Sequence, residues 1–76
     1  MRLDKVKQQM INIKVNNTSH LFKPNTTLEE IISELGISVK GIAVAVNENI
    51  ISKTEWNIKT LNENDEVLVI RATQGG

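Results

Sequence analysis

Leu28, Ile31, Ile32 and Leu35 recur at i, i+3, i+4 and i+7, an apolar stripe about two helical turns long in a chain of 76 residues. Thr27 and Glu30 stand at capping-box spacing in front of it. Gly36 is placed to end the helix in the left-handed conformation, with Ile37 one step beyond as the apolar partner of such a cap. A single helix of this length can cover one face of one small sheet and no more. Every strand that the rest of the chain forms has to share that face.

The strands announce themselves by alternation. In "MINIKVNN" Ile11, Ile13 and Val15 alternate with Asn12, Lys14 and Asn16, which predicts a strand with one buried face. Asn16-Asn17 can take the positive backbone angles of a tight turn, and "TSHLFK" returns as a second strand until Pro24 ends it. His20 falls on this strand, on the face of Phe22, and reads as a partly covered surface histidine. "GIAVAVNENII" predicts a third strand with a slim face at Ala43 and Ala45 and a bulky one at Ile42, Val44 and Val46. A turn at 47–49 and a short strand at Ile50-Ile51 follow. "SKTEWNIKTL" has no clean period and predicts a helical turn plus loop that brings Trp56 and Leu61 back to the core.

After the polar turn "NEND" come Val67, Leu68, Val69 and Ile70, four apolar residues in a row, as in a central strand apolar on both faces. With one helix available, the face carrying Leu68 and Ile70 is expected to be covered by a partner or left exposed, unless the loop around Trp56 wraps across it. The order of elements implies an α+β domain, a mixed sheet of four to five strands curled around one helix in the β-grasp layout. The first and last strands are then parallel neighbours in its middle. Residues 10–72 form the domain on this reading, and 73–76 a flexible tail leaving from the end of a central strand. Residues 1–9 are read as a preceding extension, disordered or else packed on the body through Leu3 and Val6.

Composition closes off several functions. Nine basic and nine acidic residues balance, with no run of like charge, which disfavours capture of nucleic acid or an anionic membrane. One Phe, one Trp and no Tyr leave no base-stacking platform. Without cysteine there is no thiolate chemistry, and one histidine cannot build a metal cluster, so no metal site is expected. No paired carboxylates, nucleophile with a base, or phosphate-cradling glycine loop point to an enzyme. Neither a signal sequence nor a run of roughly 20 apolar residues is present, and a cytoplasmic protein is expected.

The sequence finishes "RATQGG". A terminal α-carboxyl group has an ordinary pKa of about 3.3–3.7, so at neutral pH it is a carboxylate able to attack the α-phosphorus of ATP. Glycine suits such a terminus, because two residues without Cβ can thread a narrow channel and leave the carbonyl open to an incoming nucleophile. Gly76 is the candidate reactive residue and Gly75 gives clearance. Leu68, Ile70, Arg71, Ala72, Thr73 and Gln74 are the candidate partner-binding residues.

Residues 10–76 resemble the ThiS family, the sulfur carrier proteins of thiamine biosynthesis within the ubiquitin-like β-grasp group. The resemblance rests on "GIAVAVN" at 41–47, "IISKTEW" at 50–56, "LNENDEVLVIRA" at 61–72 and Gly75-Gly76, in that order around one helix. It implies that a ThiF-like adenylyltransferase, using ATP and magnesium, adenylates Gly76 and that no cofactor is bound by the carrier itself. A cysteine desulfurase or another sulfur donor then converts the adenylate to a thiocarboxylate, which supplies sulfur to thiazole synthase. The exposed sheet face would dock these partners, and the carrier alone would be a monomer. This sequence departs from the family pattern at Asn17, where a glycine is usual, at Lys53-Thr54, where a proline-containing pair is more typical, and at Leu68, often a charged residue. The competing readings are the small subunit of molybdopterin synthase, a ubiquitin-like modifier conjugated to lysines, and a β-grasp interaction module with an inert tail.

Overall fold

The computed structural model describes residues 10–71. The expected extension at 1–9, Ala72 at the end of the expected domain, and the expected tail at 73–76 lie outside the described residues. Two asparagine turns build the two hairpins. Asn16 and Asn17 both take positive φ, 51° and 70°, and join β1 (Ile11–Val15) to β2 (Thr18–Phe22). Asparagine carries this conformation at lower cost than a bulky or branched residue does. Asn47 and Glu48 do the same between β3 (Ile42–Val46) and β4 (Asn49–Ile51), so the second turn is a residue tighter than the 47–49 expected from sequence.

Between the hairpins runs α1 (Leu28–Glu34). Its capping box is complete: the Glu30 N–H donates to Thr27 Oγ1 at 3.2 Å, and the Thr27 N–H donates to Glu30 Oε1 at 3.0 Å. At the other end the Ile37 N–H donates to the Ile32 carbonyl and the Gly36 N–H to the Ser33 carbonyl, the double bond of a Schellman cap. Gly36 takes φ +69° there. The segment after β4 forms a single 3-10 turn over Lys53–Glu55, and Trp56 beside it is buried with its indole N–H donating to the Ile51 carbonyl at 3.0 Å. Trp56 is thus an internal anchor, on the side of the sheet that α1 covers, and its loop does not wrap across the other face.

β5 (Glu66–Arg71) closes the sheet, which has the order β2-β1-β5-β3-β4. β5 is parallel to β1, with Lys14 opposite Glu66 and Val15 opposite Val67. It is antiparallel to β3 along its whole length, from Val46–Val67 to Ile42–Arg71. Among the described residues there is one mixed sheet of five strands with one α-helix across it, the architecture expected from sequence. The core is what α1 presses onto the sheet: Leu28, Ile31 and Ile32 against Ile13, Val15, Val44, Val46 and Val67, flanked by Phe22, Trp56 and Leu61. His20 is half-buried at its margin, its ring 6.1 Å from that of Phe22.

The helix has seven residues, too few to be stable by itself in water, so it depends on its caps and this packing. Thr27→Ala is expected to cost about 1 kcal/mol of unfolding free energy through the lost cap. Leu28→Ala should cost about 2–5 kcal/mol, since Leu28 is wholly buried. Urea titrations of both variants beside the parent check the order.

Candidate functional site

The face of the sheet that α1 does not cover carries the features on which a partner could act. Strand alternation puts Val67 and Val69 toward the helix and Leu68 and Ile70 away from it. Val67 is 3% exposed, whereas Leu68 is 50% and Ile70 43% exposed. Cross-strand register then assembles a patch that no single segment reveals. Ala45 of β3 stands opposite Leu68 on one side and Ile50 of β4 on the other, and Ala43 stands opposite Ile70. Ile50 is itself 65% exposed.

The result is an apolar surface three strands wide, about 10 Å across at the usual strand spacing, with bulky ridges on β4 and β5 and a shallow channel of alanines between. Ala45 is buried between its taller neighbours. On the β1 side of β5 the same face is polar, with Lys14 opposite Glu66 and Asn12 beyond. The patch is therefore bounded, and it runs toward the Arg71 end of β5.

Arg71 is the last described residue; it is exposed and pairs with Ile42. Alternation places it with Val67 and Val69, so it does not share the face of Leu68 and Ile70. Ala72, Thr73, Gln74, Gly75 and Gly76 lie outside the described residues. Ile50, Ala43 and Ala45 are patch members that sequence reasoning did not single out. The slim face of "IAVAV" was the available signal, but its partner across the hairpin depended on the length of the turn.

A groove of about 650 Å³ opens on the helix side, between Ile32 and Ser33 of α1, Ile37 and Val39 of the following loop, and Trp56. Lys53 Nζ lies 5.8 Å from the Trp56 ring centroid at its rim, within reach of a cation–π contact. Among the described residues no group of three or more His, Cys, Asp or Glu could hold a metal ion, and no helix is long and apolar enough to cross a membrane. What the described residues offer is an exposed apolar surface of ridges and a channel beside a strand end.

The sequence model of the ThiS family matches residues 5–76. The chain belongs to the ThiS family. The Sulfur carrier protein ThiS of Thermus thermophilus is 38% identical over 50 residues, which is 66% of this chain and 78% of that protein. The crystal structure of the thiamine biosynthesis protein ThiS from Geobacter metallireducens superposes with a TM-score of 0.77. That likeness, at 19% identity, covers 87% of this chain and all of that one, and shows the ubiquitin-like β-grasp fold. Membership in this family assigns the chain to sulfur carriers, proteins acted on by other enzymes, and not to catalysts.

The two faces of β5 differ in burial, and adjacent residues should respond differently. Val67→Ala is expected to cost about 2 kcal/mol, by loss of buried methyls and the space they leave. Leu68→Ser should change stability by no more than about 0.5 kcal/mol. Thermal and urea unfolding of the pair make the comparison; equal losses would mean that Leu68 is packed and not free.

Proposed function

We propose that the chain carries sulfur on its C-terminal glycine for formation of the thiazole ring of thiamine. The ThiS match, which runs through Gly75 and Gly76, is the observation that carries this reading. The Gly76 carboxylate attacks the α-phosphorus of ATP in a ThiF-like adenylyltransferase, with magnesium on the phosphates; pyrophosphate leaves and an acyl-adenylate forms. Sulfide attacks the carbonyl carbon, AMP leaves, and a thiocarboxylate results. When the donor is the persulfide of a cysteine desulfurase, the product is an acyl disulfide, and a second thiol must reduce it to release the thiocarboxylate. That sulfur then passes to thiazole synthase.

The carrier contributes presentation to this cycle. ATP and magnesium belong to the adenylyltransferase, and the carrier supplies a small-residue tail and a surface that holds its base against the enzyme. The patch of Leu68, Ile70, Ile50 and Ala45 is suited to that docking, because apolar area near the center of an interface is what desolvates best. The carrier works in the cytoplasm as a monomer and meets its enzymes in turn through this face.

Intact-mass measurement tests the reading. After incubation with ATP, magnesium, the adenylyltransferase and sulfide, the parent chain should gain the mass of sulfur replacing oxygen, localised to the C-terminal peptide. A chain with one alanine added after Gly76 should gain nothing. If neither chain changes while both bind the adenylyltransferase, the protein is an interaction module and not a sulfur carrier.

A further inference from the structure

β5 is held unequally along its two edges. On the β3 side its pairing is continuous to Arg71. On the β1 side, backbone pairing stops at Val15–Val67, and the last main-chain bond there is the Asn16 N–H to the Val67 carbonyl at 2.9 Å. At Asn16 the chain turns away into the hairpin, with φ 51°. The β1-side edge of β5 would be bare from Val69 onward, within three residues of where the tail begins.

The side chain of Asn16 takes the place of the missing strand. The Val69 N–H donates to Asn16 Oδ1 at 2.8 Å, and Asn16 Nδ2 donates to the Val69 carbonyl at 3.4 Å. A carboxamide has the donor and acceptor of a peptide group; here its oxygen takes the Val69 N–H that the next carbonyl of a parallel strand would take, and its nitrogen reaches the Val69 carbonyl. The orientation of the amide follows from its partners, since an N–H can only donate and a carbonyl can only accept. Asn47 plays a related part at the other end of β5, where its Oδ1 accepts from the Glu66 N–H at 3.0 Å and its Nδ2 donates to Asp65 Oδ1 at 3.0 Å. Asparagine amides therefore brace β5 at both ends, but only Asn16 acts beside the tail.

We propose that Asn16 is a positioning residue for the reactive terminus, whose side-chain amide fixes the last described stretch of β5, from Val69 to Arg71. This rests on the reading of Gly76 as the reactive terminus. Gly76 lies five residues beyond Arg71, so the end of β5 is the described part of the fold nearest in sequence to the reactive terminus. A loosened strand end lowers the share of carriers that dock productively and leaves the chemistry after docking unchanged.

Asn16→Gly is the informative variant, because glycine keeps the positive φ of the turn while removing both amide bonds. Two readouts are needed. In the isolated protein, amide hydrogen exchange at Val69 should accelerate about tenfold or more, while the amides of Ile13 and Val44 exchange as in the parent. In adenylation by the ThiF-like enzyme with ATP and magnesium, the KM for the carrier should rise about fivefold, the scale of freeing one backbone residue, with kcat unchanged. Asn16→Asp retains the acceptor for the Val69 N–H and should keep that amide slow and restore most of the KM.

Unchanged exchange at Val69 in Asn16→Gly would overturn the proposal at its first step. Faster exchange with KM unchanged would make the bonds structural only, and a fall in kcat alone would also refute positioning. If the parent chain is not adenylated at all, the reading of the tail fails and the positioning role goes with it. That failure is distinguishable, since the exchange measurement needs no enzyme.

Discussion

The structure turns on bringing β5 in beside β1. These strands lie at opposite ends of the chain, about 50 residues apart, and closing a loop of that length costs roughly 3.5 kcal/mol beyond a constant term. The register that results is short, two residue pairs, and cannot by itself offset that cost. What offsets it is the burial that this adjacency makes possible. Ile13, Val15 and Val67 come side by side beneath Leu28, Ile31 and Ile32, and each such side chain contributes about 1.5–3 kcal/mol when taken from water. Without β5 in the middle, the two hairpins would have no common core and α1 no continuous floor.

The same placement divides the sheet into a buried face and an exposed apolar face. A central strand in a one-helix sheet has one side of its residues buried and the other presented, and here both sides of β5 are apolar. Val67 belongs to the core, while Leu68 and Ile70 border an alanine channel filled out by Ile50 from the second hairpin. The strand that supplies Val67 to the core is thus also the one that exposes Leu68 and Ile70.

The asparagines deserve a common physical explanation. Asn16, Asn17, Asn25, Asn47 and Asn64 all have positive φ, where glycine would be the ordinary choice. Glycine would supply the backbone angle alone. Asn16 and Asn47 supply the angle and a carboxamide that bonds to β5, so a turn residue doubles as an edge brace. The absence of glycine at Asn17 is accommodated in the same way, by a left-handed asparagine in a two-residue hairpin.

Local rules made much of this legible in the sequence. Alternation marked Ile13 and Val15 as buried, the Thr27–Glu30 spacing marked the start of the helix, Gly36 its end, and Val67 to Ile70 marked a central strand, because each signal depends on residues only a few positions apart. Counting one helix against a two-faced strand even predicted the exposed Leu68 and Ile70. Tertiary structure alone decided the rest. The patch needs Ile50 and Ala45 brought into line with Leu68 by pairing across three strands. Arg71 lies off that face because of its place in the alternation of a strand that runs to its end. The bonds between Asn16 and Val69 join residues 53 apart. No local period encodes a distance of that kind; it is created when the first and last strands meet, and it is there that the domain acquires its core.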